Sequence, residues 1–253
     1  MRSTLIVPDL QIPFHDPVVL KKTVEVARKF QPDHIFQGGD LIDAPQTSRW
    51  NAGSAGMYAQ TLQGHINQVK TEYFEAMREA CPNAEMTWLL GNHDQRTDEF
   101  IRKYAPPLAS LEALSIESLF DVGAYGVKVV QGVTRVGTNT YALHGHECGG
   151  YSSTLSAWDA KFCKRYGSEK NYVFFHTHQP GIITRAYGYG GNVKPRFTLN
   201  AGSQMDPVAA TYVKDGAVSW VQSFAWLEDD GKRVWPELVT LVDRLGYFKG
   251  ERL

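Results

Sequence analysis

With 253 residues, 43% of them apolar and 21% charged, the chain has the material for a full hydrophobic core and lacks the composition of a disordered segment. A formal charge of −1 and a pI near 6.7 exclude a global field that would hold the protein on nucleic acid or an anionic membrane. Cys81, Cys148 and Cys163 are too few and too irregularly spaced for a disulfide framework or a thiolate metal site, so they are expected to be reduced.

The first apolar run, Leu5-Ile6-Val7, is cut off by Pro8 and Asp9, far short of a signal-peptide core or a spanning helix. This argues for a cytoplasmic protein with no membrane partner. Asp16-Pro17 predicts a capped helix running to about Phe30, with Leu20, Val24 and Ala27 on one stripe. Ile35-Phe36 reads as a second strand. Leu62, Ile66, Val69, Tyr73, Met77 and Ala80 recur at helical spacing, and Pro82 ends that helix. Trp88-Leu89-Leu90 reads as a third strand, and the alternation predicts a largely parallel sheet with helices on its faces. From Gly126 to Ala142 and from Gly181 to about Trp235, β-branched and aromatic runs alternate with turn residues, which predicts antiparallel or mixed strands. A helix is predicted from roughly Leu155 to Tyr166, and a hairpin turn at Gly190-Gly191-Asn192. No linker or repeat divides the chain, so one domain over residues 1–253 is expected.

Five apolar runs end in polar residues able to bind metal: Asp9-Leu10-Gln11, Gly39-Asp40-Leu41-Ile42-Asp43, Gly91-Asn92-His93-Asp94, His144-Gly145-His146 and His176-Thr177-His178. Ligands of open α/β sheets gather beyond the carboxyl ends of the strands, so these clusters can converge on one site. Carboxylate, carboxamide and imidazole together suit Mn, Fe, Zn or Ni, whereas an all-oxygen set would favour Mg or Ca. Asp40 has two oxygens and can bridge two cations about 3.5 to 4 Å apart, a spacing suited to in-line displacement at phosphorus.

The order of these motifs resembles the calcineurin-like metallophosphoesterase superfamily, whose pattern is DxH, GDxxD, GNHD, HG and GHxH. Asn200-Ala201-Gly202-Ser203 is similar to the NxGS segment of its small bacterial and archaeal phosphodiesterase branch. Taken singly GDxxD and HxH are weak signals, but GNHD should arise by chance in about one chain in a thousand of this length. The resemblance implies an α/β (α+β) four-layer fold, a central β-sandwich of mixed sheets flanked by helices. It implies a dinuclear hydrolase of small phosphoesters. One metal would be held by Asp9, Asp40 and His178, with Gln11 as a further candidate, and the other by Asp40, Asn92, His144 and His176. Two divalent cations against two carboxylates leave the site positive toward phosphate, and a bridging water would lose its proton near neutral pH and attack phosphorus. His93 fits as general acid or phosphoryl donor, with Asp94 expected to hold its tautomer. Asp43 is expected just behind the ligands.

Gln11 departs from the family's histidine. A neutral carboxamide oxygen should hold the first metal less tightly and select Mn or Mg, as in the similar manganese-dependent ADP-ribose/CDP-alcohol diphosphatase branch. Phe175 replaces the glycine that usually precedes HxH. His15 and His146 are further candidates for the pocket, His34 and His65 read as structural, and the stretch Ala44–Gln60, with Arg49, reads as a substrate cap or a solvated loop. Two other readings share the motif set. A nuclease would use the basic face of Lys161, Lys164 and Arg165, which the neutral net charge opposes. A non-catalytic interaction module, as in the retromer subunit of this fold, is favoured only by Gln11.

Overall fold

The computed structural model describes residues 1–48, 61–149, 154–209 and 220–253. Arg49 and the rest of 49–60, most of the proposed cap, lie outside the described residues. Strands β1 (Arg2–Val7), β2 (His34–Gln37), β3 (Glu85–Leu89) and β4 (Val127–Val130) run parallel in consecutive register. The chain then builds a second sheet from β5 (Thr134–Gly137), β6 (Thr140–Leu143), β7 (Asn171–Phe174), β8 (Gly181–Tyr187) and β9 (Lys194–Asn200). It returns to the first sheet with β10 (Ser223–Asp229), antiparallel to β1, and β11 (Val234–Thr240). The sheet orders are β11-β10-β1-β2-β3-β4 and β5-β6-β7-β9-β8.

Alternation along each strand sorts the core into three interfaces. Leu5, Val7, Ile35 and Trp88 face α1 (Pro17–Phe30) and a helical run made of α2 (Leu62–Gln68), a π-helical stretch Val69–Glu75 and α3 (Ala76–Ala80). Ile6, Phe36 and Leu89 face Ala142, Val173 and Leu199 of the second sheet. The outer face of that sheet, through Leu143, Tyr172 and Phe174, packs on Trp158 and Phe162 from a later helix, Leu155–Tyr166. The layers are therefore helix, sheet, sheet and helix, the mixed four-layer arrangement that the motifs imply.

Local chemistry explains the helix boundaries. The Asp16 carboxylate accepts from the Val18 backbone N–H at 3.0 Å, and Pro17 occupies the first turn, where its missing N–H does no harm. The π-helical stretch is a departure from the regular helix predicted through Leu62–Ala80; it turns the adjacent Tyr73 and Phe74 both into the core. Antiparallel pairing from Gly181↔Asn200 to Tyr187↔Lys194 matches the hairpin predicted at Gly190-Gly191-Asn192. The second sheet is mixed, because the helix Leu155–Tyr166 lies between β6 and β7 and brings them parallel.

Buried His34 lies 2.9 Å from the Thr87 hydroxyl, and burial, helped by the charge of Arg2, lowers its pKa to about 4. The unfolded chain takes up this proton near pH 6.5, so the neutral imidazole supports folding above that pH and the support is lost as pH falls toward 4. Replacing His34 with Gln should flatten the pH dependence of the unfolding free energy between pH 6.5 and 4 by up to about 3 kcal/mol. Denaturant unfolding of both proteins at stepped pH checks this.

Candidate metal centre

The loops that follow β1, β2, β3, β6 and β7 meet at one end of the sandwich. Asp40, His144 and His176 each offer one ligand atom, and these atoms all lie within 4.8 Å of one another. Asp40 Oδ2 and His144 Nε2 are 3.2 Å apart. Beside them, His178 Nε2 stands 2.9 Å from Asp9 Oδ2 and 3.3 Å from the Gln11 amide nitrogen. The halves adjoin, since the Gln11 N–H donates to the Asp40 carbonyl at 2.8 Å and the His176 N–H donates to Asp9 Oδ2 at 3.1 Å. A half-turn of the Gln11 amide would present its oxygen, the atom a cation would take.

Several observations fit this cluster to divalent cations. Asn92 Oδ1 is buried with no hydrogen-bond partner among the described residues, and Asp40 Oδ2 and His144 Nε2 face only each other across 3.2 Å, which is costly unless something else binds them. His144 Nδ1 lies 3.0 Å from the Gly38 carbonyl, which fixes the ring so that Nε2 points at Asp40. Gln11, Asp40, His176 and His178 all adopt positive φ, between 50° and 69°, a conformation rare outside glycine that concentrates here at ligand positions. Spacing of two residues in an extended strand would put His176 and His178 on one side, and the positive φ at both breaks that arrangement. They reach different halves of the site through a bend held by the Thr177 N–H donating to the Phe175 carbonyl at 2.7 Å.

Close packing enforces the positions. A Cβ on Gly91 would meet Asp40 Oδ1 at 2.2 Å and His144 Cε1 at 2.8 Å, so only glycine lets that loop approach. A Cβ on Gly38 would strike the Phe175 ring at 2.1 Å. Phe175, the departure from the usual glycine, is fully buried between the sheets and stacks on His144 with ring planes 16° apart. It supports the ligand loop from beneath.

Electrostatics follow from the crowding. Burial opposes charge on His144, yet the carboxylates of Asp40 and Asp9 raise its pKa to about 10. His176 is pushed down to about 3 by burial and by the neighbouring His144. Burial works against the Asp40 carboxylate, but His144 and His93 outweigh it and hold Asp40 well below the usual range. A proton on His144 is thus favoured beside the Asp40 charge, and a metal bound at His144 would have to displace it.

Asp94 requires a correction. Its carboxylate accepts the backbone N–H groups of Asp40, Leu41, Ile42 and Gly91 at 2.8 to 3.1 Å and the Trp88 indole at 3.2 Å, leaving it no part in fixing His93. Burial and the Asp40 charge nevertheless raise its pKa to about 7. The partner of His93 Nδ1 is Asp43, which also accepts from Arg96. Arg96 in turn lies 3.0 Å from His93 Nε2. His93, in the turn that precedes α4 (Arg96–Tyr104), has its pKa raised because Asp40 and Asp43 overcome burial.

His146 is half-buried beside the ligands, its ring centroid 5.4 Å from that of His144, with Nδ1 3.6 Å from Glu147. His15 is buried and paired with Glu72 at 2.8 Å rather than with the ligands. The basic face also has structural employment: Lys161 donates to the Gly149 carbonyl at 2.9 Å and Arg165 to the Glu147 carbonyl at 2.6 Å. Sequence reasoning missed Arg96 and Trp220. The Trp220 ring lies edge-on to His178 with centroids 4.4 Å apart, and nothing in its local sequence signals that contact. Arg96 sits three residues beyond His93 on a helix start, a spacing from which proximity could have been read. The Asn200-Ala201-Gly202-Ser203 segment acts as a brace: Asn200 donates to Thr177 Oγ1 at 2.5 Å, while Ser203 bridges to Asp9.

Replacing Asp94 with Asn removes acceptors from buried donors and should lower the unfolding free energy by about 2 to 3 kcal/mol. The same change at Asp43 should cost less stability and show instead in the rate. Denaturant unfolding of both variants separates the two roles.

The model of the calcineurin-like phosphoesterase family matches residues 3–205. The Gene 54 protein of Mycobacterium phage D29 is similar at 33% identity over 244 residues, covering 95% of this chain and 94% of that protein. Its counterpart in Mycobacterium phage L5 is 32% identical with the same coverage. Among solved structures, wild-type Vps29 from Entamoeba histolytica complexed with zinc is similar in fold, with a TM-score of 0.50 and 14% identity over 99% of this chain and 98% of that one. With its ligand-type residues gathered at the strand ends, this phosphoester hydrolase belongs to the calcineurin-like phosphoesterase family.

Proposed function

We propose that the protein hydrolyses a small phosphoester at a dinuclear centre, most readily with manganese, with iron, zinc, nickel and magnesium as the other ions its donors would accept. The observation that carries this reading is the cage of Asp40, His144 and His176 lying directly against Asp9 and His178. One site would use Asp9, Asp40, His178 and Gln11; the other would use Asp40, Asn92, His144 and His176. Ions bound there would neutralise phosphoryl oxygens and make a water nucleophilic near neutral pH.

The chain's own residues supply the rest. Asp43 fixes His93 through Nδ1 and leaves Nε2, 3.9 Å from Asp40 Oδ2, turned toward the centre. Once Arg96 turns from Nε2 to a phosphoryl oxygen, a protonated His93 can give a proton from there to the departing alkoxide. Arg96 stands beside Nε2, placed to meet the negative charge of an entering phosphoryl group. Employment of Lys161 and Arg165 in loop contacts weighs against a nucleic-acid surface there and in favour of a small-molecule substrate. No helix among the described residues is long and apolar enough to cross a membrane, and the free cysteines accord with a single-domain cytoplasmic enzyme.

Asp40→Ala or His176→Ala should abolish manganese-dependent turnover of an aryl phosphodiester or monoester, a loss of at least about a thousandfold. His93→Ala should lose about 10² to 10⁴-fold in kcat. Steady-state assays on folded variants check both, and undiminished turnover in Asp40→Ala would leave the interaction-module reading in its place.

A further inference from the structure

The opposite end of the sandwich holds a second feature. On the face of the first sheet that meets the second, Ile6 pairs with Phe36 and Leu89 with Val130, an apolar layer. One step toward the strand starts, the same face carries Thr4 paired with His34 and Thr87 paired with Lys128. Polar side chains thus replace apolar ones on four neighbouring strands. The sheets part there around a cavity of about 450 Å³, within the range of small-molecule sites. From Arg2 at its rim to Asp9 at the metal centre, strand rise puts roughly 20 Å between the two sites.

The charges around this cavity are unequally compensated. Glu85 is occupied by Arg2 at 2.5 Å, and Asp229 accepts the backbone N–H groups of Thr138 at 2.7 Å and Gly231 at 2.8 Å. Lys128 and Arg135, which also line it, have no carboxylate partner among the described residues; Arg135 donates only to the Gly137 carbonyl at 3.2 Å. His34 lines the same space at 6% exposure, and its Nδ1 has no hydrogen-bond partner among the described residues. With the Thr87 hydroxyl donating to Nε2, Nδ1–H becomes a free donor. Phe36, Val136 and Leu227 supply an apolar floor.

We infer that this cavity binds a small organic anion, its apolar body on the floor of Phe36, Val136 and Leu227 and its carboxylate or phosphate group met by Lys128, Arg135 and His34. The inference is independent of the reaction at the metal centre. Titrating the magnesium-supplemented full chain with phenylphosphonate and, separately, benzoate, followed residue by residue by amide NMR shifts, tests it. Saturable shifts are expected at Thr87, Lys128 and Arg135, apart from any at Asp40 or His144. Response to phenylphosphonate alone marks a phosphate-type ligand, and response to benzoate a carboxylate. The double variant Lys128→Glu, Arg135→Glu, whose positions are exposed, should bind the responding probe at least tenfold more weakly and retain metal-dependent turnover. No saturable shift at these residues with either probe, or unchanged affinity in the double variant, would overturn the inference.

Discussion

Asp94 ties the loop after β2 to the loop after β3. One buried carboxylate gathers the backbone N–H groups of Asp40, Leu41, Ile42 and Gly91 together with the Trp88 indole, and thereby sets where Asp40 stands. The His93 N–H then donates to Asp40 Oδ1 at 2.8 Å, which leaves Oδ2 to face His144. Because burial penalises that charge strongly, the arrangement persists only while all its donors remain engaged. The other candidate ligands are placed around Asp40.

Around this anchor the ligand loops are held in conformations that an unconstrained chain would avoid. Positive φ at Gln11, Asp40, His176 and His178 is maintained by close packing of glycine backbone and of the Phe175 ring, and by the brace from Asn200 to Thr177. Rigid strands supply the support and short loops supply the donors, so packing of the protein itself sets the shape of the cage. Asp43 and Arg96 extend the same principle to His93: a carboxylate on one ring nitrogen and a guanidinium by the other leave the imidazole little freedom.

Much of this was legible in the sequence because two periodicities and five motifs speak locally. Apolar runs ending in Asp, Asn or His marked the strand ends, and the helix stripes from Leu20 to Ala27 and from Leu62 to Ala80 marked the layer beneath them. Relationships across the chain were not legible. GNHD suggests by adjacency that Asp94 serves His93, but in the fold the two side chains diverge, and the distant Asp43 takes that place. The two-residue spacing of His176 and His178 gave no sign of the positive φ that both adopt, because spacing says nothing about φ. His15 carried no sign of Glu72, nor Lys161 of the Gly149 carbonyl, since those partners are defined only once helices and loops pack. Phe175 read only as a replacement of the motif's usual glycine, and in the fold it is part of the sandwich core.

The central claim is that Asp40 is shared between two cations. Metal content per chain, measured by mass spectrometry after manganese loading and removal of free ion, tests it most directly. The account predicts two manganese ions per chain in the natural protein and loss of both on Asp40→Asn. A natural protein that retains one ion or none, or an Asp40→Asn variant that still holds two, would contradict it.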